Sequence, residues 1–229
     1  MRYLRSFHRS RAVTFLLVAA VTFASALLAT GTAQAAACGG AVAAGTTCTV
    51  TGTMSLGAGT LSMTSPTALG WTATITGVDQ QVNDTTAADQ GYTVDDATGS
   101  APGWHSTVSA TTFTTGGGTP HTLADAGTFS TNGSVTSISG TGAPTAACAS
   151  GSTCTVPTNT TTYPVAITTA AATPTAFTIY DTSAGTGSGT IDIGGSTAAN
   201  PVGWWLNMPA NTPAGTYTST ITLELISGP

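Results

Sequence analysis

Apolar and hydroxylated side chains alternate along much of this chain. The clearest run is GTYTSTITLELIS near the C-terminus. Tyr217, Ser219, Ile221, Leu223 and Leu225 fall on one side, and Thr216, Thr218, Thr220, Thr222 and Glu224 on the other. A period of two predicts a long strand with one buried and one wet face. WTATIT repeats the pattern, with Trp71, Ala73 and Ile75 opposed to Thr72, Thr74 and Thr76. In GWHSTVSATTFTTGGG, Trp104, Ser106, Val108 and Ala110 share a face, and His105, Thr107, Ser109 and Thr111 take the other. Phe113 is out of step, so that strand ends or bulges near Thr112. Further strands are expected at Thr60–Thr64, Gly91–Val94, Ser134–Ser139, Tyr163–Thr168, Ala176–Tyr180, Thr190–Ile193 and Val202–Met208. Clusters of Gly, Pro, Asn and Asp separate them. No stretch beyond residue 35 sustains a helical apolar stripe. The expected class is all-β: an antiparallel β-sandwich with Ig-like or jelly-roll-like layering.

The first 35 residues follow a different rule. Arg2, Arg5, Arg9 and Arg11 precede an apolar run and the small-residue stretch Ala33-Gln34-Ala35. That order reads as a signal peptide cut after Ala35, with an uncleaved anchor as the alternative. All four basic residues lie in this segment, and all nine acidic residues lie beyond it. Residues 36–229 therefore carry nine carboxylates and no Lys or Arg. Nucleic acid is excluded as a partner, because phosphate neutralisation needs cations on the protein. Anionic wall polymers and acidic lipids are repelled unless a metal ion bridges them. The ending LELISGP reads as neither a membrane stop nor a sorting signal, so no membrane span is expected after cleavage. Roughly a quarter of residues 36–229 are Thr, which favours the pleated surface of a sheet. The chain is expected to form one domain, 36–229, or two halves, 36–144 and 145–229, since GTTCTV at Gly45–Val50 returns as GSTCTV at Gly151–Val156.

Four cysteines allow three pairings. The local pairs Cys38–Cys48 and Cys148–Cys154 close short loops and suit an exported protein. Each removes about 2–3 kcal/mol of loop entropy from the unfolded chain. Zinc is the alternative, although the spacings match no common finger.

Catalytic motifs are absent. No Ser has Gly at both −2 and +2, so there is no nucleophile elbow. Only His105 and His121 remain after residue 35, with no H-E-x-x-H. His105 reads as a solvated strand residue. The one Glu, Glu224, sits on the wet face of the last strand. Asp95 and Asp96 are candidate calcium ligands in an Asp-rich stretch, without EF-hand spacing. No cofactor is expected. What remains is aromatic: Trp71, Trp104, Trp204 and Trp205 are candidates for stacking on sugar rings, Trp104 doubling as a core anchor. Adjacent strand residues point to opposite faces, so if one of Trp204 and Trp205 is buried the other is either exposed, which makes the pair the leading candidate, or covered by another layer.

Three stretches carry a family resemblance: TVTGTMSLGAGTLSMTSPTALG, TVSATTFTTGGGTP and NMPANTPAGTYTSTITLELISGP. Over Thr49 to Pro229 the chain resembles the WxL-type cell-surface domain of Gram-positive bacteria, in its actinobacterial form. Both Trp-x-Leu motifs are degraded: the first reads Trp104-His105-Ser106 and the second Leu223-Glu224-Leu225, while a literal Trp204-Trp205-Leu206 stands one strand too early. The resemblance implies a β-rich domain held non-covalently at the cell wall, with peptidoglycan as partner. The expected function is that of a secreted, non-enzymatic wall-associated protein binding peptidoglycan or a neutral glycan through exposed aromatics. The alternatives are a coat or appendage subunit that self-associates through sheet edges, and a hydrolase using His105.

Overall fold

Alternation builds short strands here, and neutral side chains decide where each one stops. The structure is a computed structural model that describes residues 36, 37, 40, 41, 43–45 and 47–229. The proposed signal peptide and Cys38 lie outside the described residues. The strands run in chain order β1 (Ala36–Ala37), β2 (Cys48–Thr49), β3 (Leu61–Thr64), β4 (Gln80–Asn83), β5 (Gly91–Asp96), β6 (Trp104–Ala110), β7 (Thr114–Thr115) and β8 (Phe129–Asn132). They continue with β9 (Ala146–Cys148), β10 (Val165–Ile167), β11 (Phe177–Asp181), β12 (Gly189–Gly194), β13 (Gly203–Met208), β14 (Tyr217–Thr218) and β15 (Ile221–Ser227). A single 3-10 turn spans Ala87–Asp89 among the described residues.

Two compact units divide the chain, Met1–Leu56 and Gly57–Pro229. In the first, β1 and β2 form a two-residue parallel pair. In the second, three antiparallel sheets have the orders β10-β8-β13-β4, β11-β6-β15 and β3-β5-β12-β9, and β14-β7 adds a short ladder. Strands from both sides of residue 144 pair within each of the three sheets.

One apolar cluster joins the three sheets. Val94, Ile191 and Ile193 enter it from β5 and β12, Trp104, Val108 and Ile179 from β6 and β11, and Phe129, Ile167 and Trp204 from β8, β10 and β13. Aromatic rings pack edge-on between Trp71 and Phe113 and between Trp71 and Phe129, with centroids 5.8 Å apart in each case. Each such pair contributes about 0.5–1.5 kcal/mol beyond its buried area. On β6 the expected alternation holds: Trp104, Ser106, Val108 and Ala110 are all fully buried. On the opposite face His105, Ser109 and Thr111 are half-buried and Thr107 is buried, so that face is covered as well.

Three expected strands are corrected. WTATIT joins no ladder, because side chains anchor it instead: the Trp71 indole donates to the Trp204 carbonyl at 2.9 Å, and the Gln80 carboxamide donates to the Thr74 carbonyl at 2.8 Å. Ser134–Ser139 is a turn, and the strand lies just before it. The Asn132 carboxamide donates to the carbonyls of Ser137 and Ile138, both at 2.9 Å, while Ser134 Oγ accepts from the Thr136 and Ser137 amides. Such local bonds compete with ladder formation. The long C-terminal strand is split at Ser219–Thr220. There Ser219 Oγ donates to the Thr111 carbonyl at 2.6 Å, and the Thr220 amide donates to Thr111 Oγ1 at 2.7 Å.

A disulfide links Cys148 to Cys154. Cys48 is disulfide-bonded too.

Gly203 opens β13 where the sheet meets the Ser134 turn. A Cβ there would lie 1.9 Å from the Ser134 carbonyl oxygen and 2.7 Å from Trp205 Nε1. Backbone cannot yield as a flexible side chain does, so Gly203→Ala is expected to destabilise the fold by about 3 kcal/mol, the upper range for overpacking. Urea unfolding checks this, and an unchanged midpoint would refute the close approach.

Candidate functional site

A groove of about 780 Å³ lies in the Gly57–Pro229 unit. That size lies within the range of small-molecule sites. One wall is Leu69–Ile75, the stretch that failed to pair, and the other is Thr212–Ser219. Phe113, Leu123, Leu206 and Ile221 form an apolar floor. Thr72, Thr74, Thr216 and Thr218 are exposed along the walls and bring hydroxyls to the rim. No Asp, Glu, Lys, Arg or His lines the groove.

Each wall is fixed from behind. Asp84, 1% exposed, accepts the Gly70 amide on Oδ2 and the Thr86 amide on Oδ1, both at 2.8 Å. Its own amide donates to the Trp204 carbonyl, which also takes the Trp71 indole. On the far wall Tyr217 O–H donates to the Pro213 carbonyl at 2.9 Å, and the Ala210 amide donates to Asp79 Oδ1 at 2.8 Å.

All four indole N–H groups are spent on internal acceptors. Trp104 donates to the Gly187 carbonyl, Trp204 to the Asp89 carbonyl, Trp205 to the Ser134 carbonyl and Asn132 Oδ1, and Trp71 to the Trp204 carbonyl. Trp104 is 0% exposed, Trp204 1% and Trp205 6%. Of the two outcomes open for the Trp204-Trp205 pair, one ring exposed or both covered, the structure has both covered. The two rings do leave β13 on opposite sides, but the Ser134 turn covers Trp205 while Phe129 stacks on Trp204. Of the four tryptophans only Trp71 is half-buried, and it alone lines the groove.

The two stretches set beside the Trp-x-Leu motifs, Trp104-His105-Ser106 and Leu223-Glu224-Leu225, are neighbours in space. They lie on β6 and β15, with Ser106 directly opposite Leu225 and Val108 opposite Leu223. The side chains of those four residues enter the core or pack against it. A family model described as WxL domain surface cell wall-binding matches residues 50–229. The chain belongs to the WxL domain family. No curated protein and no solved structure matches it. This WxL domain is accordingly a surface-associated binding protein of the cell surface or cell wall.

Ser106 of this WxL domain is fully buried, and its hydroxyl is satisfied from another sheet. Tyr92 on β5 reaches across to hydrogen-bond Ser106 Oγ at 2.8 Å, both residues being buried. Burial pushes the Tyr92 phenol well above its ordinary range, so it stays neutral.

The remaining sequence candidates do not converge on the groove. His105 holds its Nδ1 2.7 Å from the Gly228 carbonyl, pinning the C-terminus, and is only half-buried rather than solvated. Asp95 and Asp96 leave β5 on opposite faces: Asp95 accepts from Thr190 Oγ1, and Asp96 from the Thr98 amide and hydroxyl. One face therefore never presents both carboxylates to a calcium ion. Among the described residues no group of three or more His, Cys, Asp or Glu is placed to hold a metal. Sequence reasoning missed Asp84, Tyr217 and the Thr212–Gly215 loop. The PAGTYT ending was the one available signal for the loop and Tyr217.

Two carboxyl groups are shifted from the ordinary carboxylate range. Asp125 is held below its ordinary range by hydrogen bonds from Thr112 and Thr169. Asp89, 7% exposed, is raised by burial and then by the charge of Asp84.

Two predictions follow from these contacts. Tyr92→Phe and Ser106→Ala should each cost about 1–3 kcal/mol by stranding a buried hydroxyl, while the double variant should cost less than their sum. Denaturant unfolding closes that cycle, and strict additivity would dissolve the pair. Asp125 has a lowered folded pKa, so its stabilisation is present above the unfolded carboxylate range and is lost as pH falls through the folded value. Asp125→Ala should lower Tm by a constant amount between pH 5 and 8 (roughly one unit or more above the ordinary Asp value). The gap should close in stronger acid, as followed by thermal melts.

Proposed function

We propose that this WxL domain attaches to the wall non-covalently by taking an uncharged glycan into the groove between Leu69–Ile75 and Thr212–Ser219. The glycan is the sugar backbone of peptidoglycan or another neutral wall polymer. The observation that carries this reading is the groove's chemistry: an apolar floor, hydroxyl-bearing walls and no ionisable carboxylate, amine or imidazole. A pyranose has the matching character, with apolar C–H faces and hydrogen-bonding edges. Trp71 supplies the aromatic surface.

The same chemistry supports binding without catalysis. Glycoside hydrolysis needs paired carboxyl groups flanking the scissile bond, and acyl transfer needs a nucleophile beside a base. The groove's lining offers neither pair. In this reading residues 1–35 direct export, Cys38 closes the second disulfide with Cys48, and the three sheets around one core layer as a β-sandwich. A second reading, assembly through sheet edges, draws support from β15, a seven-residue strand with a single neighbour in its sheet.

The test is retention on purified insoluble cell wall. Wild type should sediment with the wall. Thr72→Glu and Thr216→Glu put a charge on exposed groove positions without disturbing the core, and retention should fall at least tenfold. Thr222→Glu, on the exposed face of β15, adds the same charge and should behave as wild type. Equal losses in all three variants would reduce the effect to bulk repulsion and remove the groove. Failure of wild type to bind, with concentration-dependent oligomers in light scattering, would leave the edge-assembly reading instead.

A further inference from the structure

Asp192 leaves β12 on the outer face of the β3-β5-β12-β9 sheet, because Ile191 and Ile193 on either side of it are fully buried. Thr93 stands directly opposite on β5, and its hydroxyl donates to Asp192 Oδ1 at 2.7 Å. That bond fixes the carboxylate. Asp192 Oδ2 takes no hydrogen bond from the described residues, and it is not sealed from solvent. A cleft of about 430 Å³ opens against this side chain and shares no residue with the groove. Three places build its walls: residues 64–66 at the end of β3, Ala87 and Ala88 of the 3-10 turn, and residues 194–197 at the end of β12. Pro66, Ala87 and Ala88 give small apolar surfaces, while the hydroxyls of Thr64, Ser196 and Thr197 belong to its polar lining. Asp192 is the one Asp, Glu, Lys, Arg or His in that lining.

We propose that this cleft is a second binding site, which takes a primary ammonium group on a short alkyl chain and pairs it with Asp192 Oδ2. The charge around it fixes the sign of the ligand. Asp95 is the diagonal neighbour of Asp192 on the same sheet face, and Asp89 belongs to the turn that forms one wall. Residues 36–229 hold no Lys or Arg to answer these acids, so the cleft repels anions and draws cations. The donor set fixes the kind of cation. Among the described residues no group of three or more His, Cys, Asp or Glu is placed to hold a metal. An ammonium brings its own N–H donors and needs one charged acceptor, with hydroxyls for the remaining hydrogens. A guanidinium fork calls for both carboxylate oxygens, and Oδ1 already serves Thr93, so the compact amine is the better match. The methylenes behind the amine then rest on Pro66, Ala87 and Ala88. Lysine side chains and other free amines of wall peptides have this chemistry. The site stands independently of the groove, and a wall carrying both glycan and amine would be held at two places.

The test is an NMR titration of the purified protein with Nα-acetyl-lysine amide. The backbone amides of Thr93, Asp192, Ser196 and Thr197 should shift together and saturate. The same compound acetylated on its ε-nitrogen keeps the stem and loses the charge, and it should leave those signals in place. Asp192→Asn should weaken the binding about tenfold, the loss expected for a hydrogen bond to a charged group. Glu224→Gln removes one exposed carboxylate from β15 and should bind as wild type, which separates the cleft from overall charge. Thr197→Lys, at an exposed position of the lining, supplies an ammonium from the chain itself and should block the probe. That variant decides the matter if Asp192→Asn does not fold. The proposal is overturned if the acetylated compound produces the same shifts, if Asp192→Asn keeps wild-type affinity, or if the cleft amides ignore the probe. Retention on insoluble cell wall whose amines have been acetylated should fall severalfold against untreated wall, and equal retention removes wall peptides as the source of the amine. If wild type is not retained on untreated wall, the groove reading fails, while the lysine titration still judges the cleft.

Discussion

The absence of any cationic Lys or Arg side chain from residues 36–229 governs how this structure satisfies its polar groups. Nine carboxylates must be accommodated without an ammonium or guanidinium partner. The chain meets that demand with neutral donors: backbone amides on Asp84 and Asp96, threonine hydroxyls on Asp95, Asp125 and Asp181, and indole N–H groups on carbonyls. The heavy use of Thr then has two causes. Its β-branch suits the strand, and its hydroxyl is the commonest side-chain donor to these acids. Neutral hydrogen bonds are individually weak and directional, so they hold geometry more than they add stability. The walls of the groove are fixed in that manner.

Much of the fold was legible because alternation is a local signal. The buried face of β6 and the two faces of β15 could be read residue by residue. The failures share one cause. At WTATIT, at Ser134–Ser139 and at the Ser219–Thr220 break, a side chain captures a backbone group that a ladder would have used. The partner is Gln80, Asn132 or Thr111, and nothing in a period of two announces it. The site was less legible still. Its walls are more than a hundred residues apart in sequence, and its chemistry consists of what is missing from it. The four tryptophans drew attention as recognition residues, yet three turn inward because each N–H found an acceptor beneath a covering layer.

Ser106 stands at a fully buried position of β6, where a hydroxyl without a partner would be costly. Tyr92, from a different sheet, removes that cost and ties two sheets together. The groove proposed for the glycan lies elsewhere, and its uncharged lining suits that ligand.

The order of strands in the sheets has a consequence for biogenesis. β12 lies between β5 and β9, β13 between β8 and β4, and β6 is completed by the final strand, β15. Hardly any ladder can close from sequence neighbours, so loop-closure entropy must be met across most of the chain before contacts repay it. A nascent chain emerging from its N-terminus cannot lock into the finished structure until its last few residues are free.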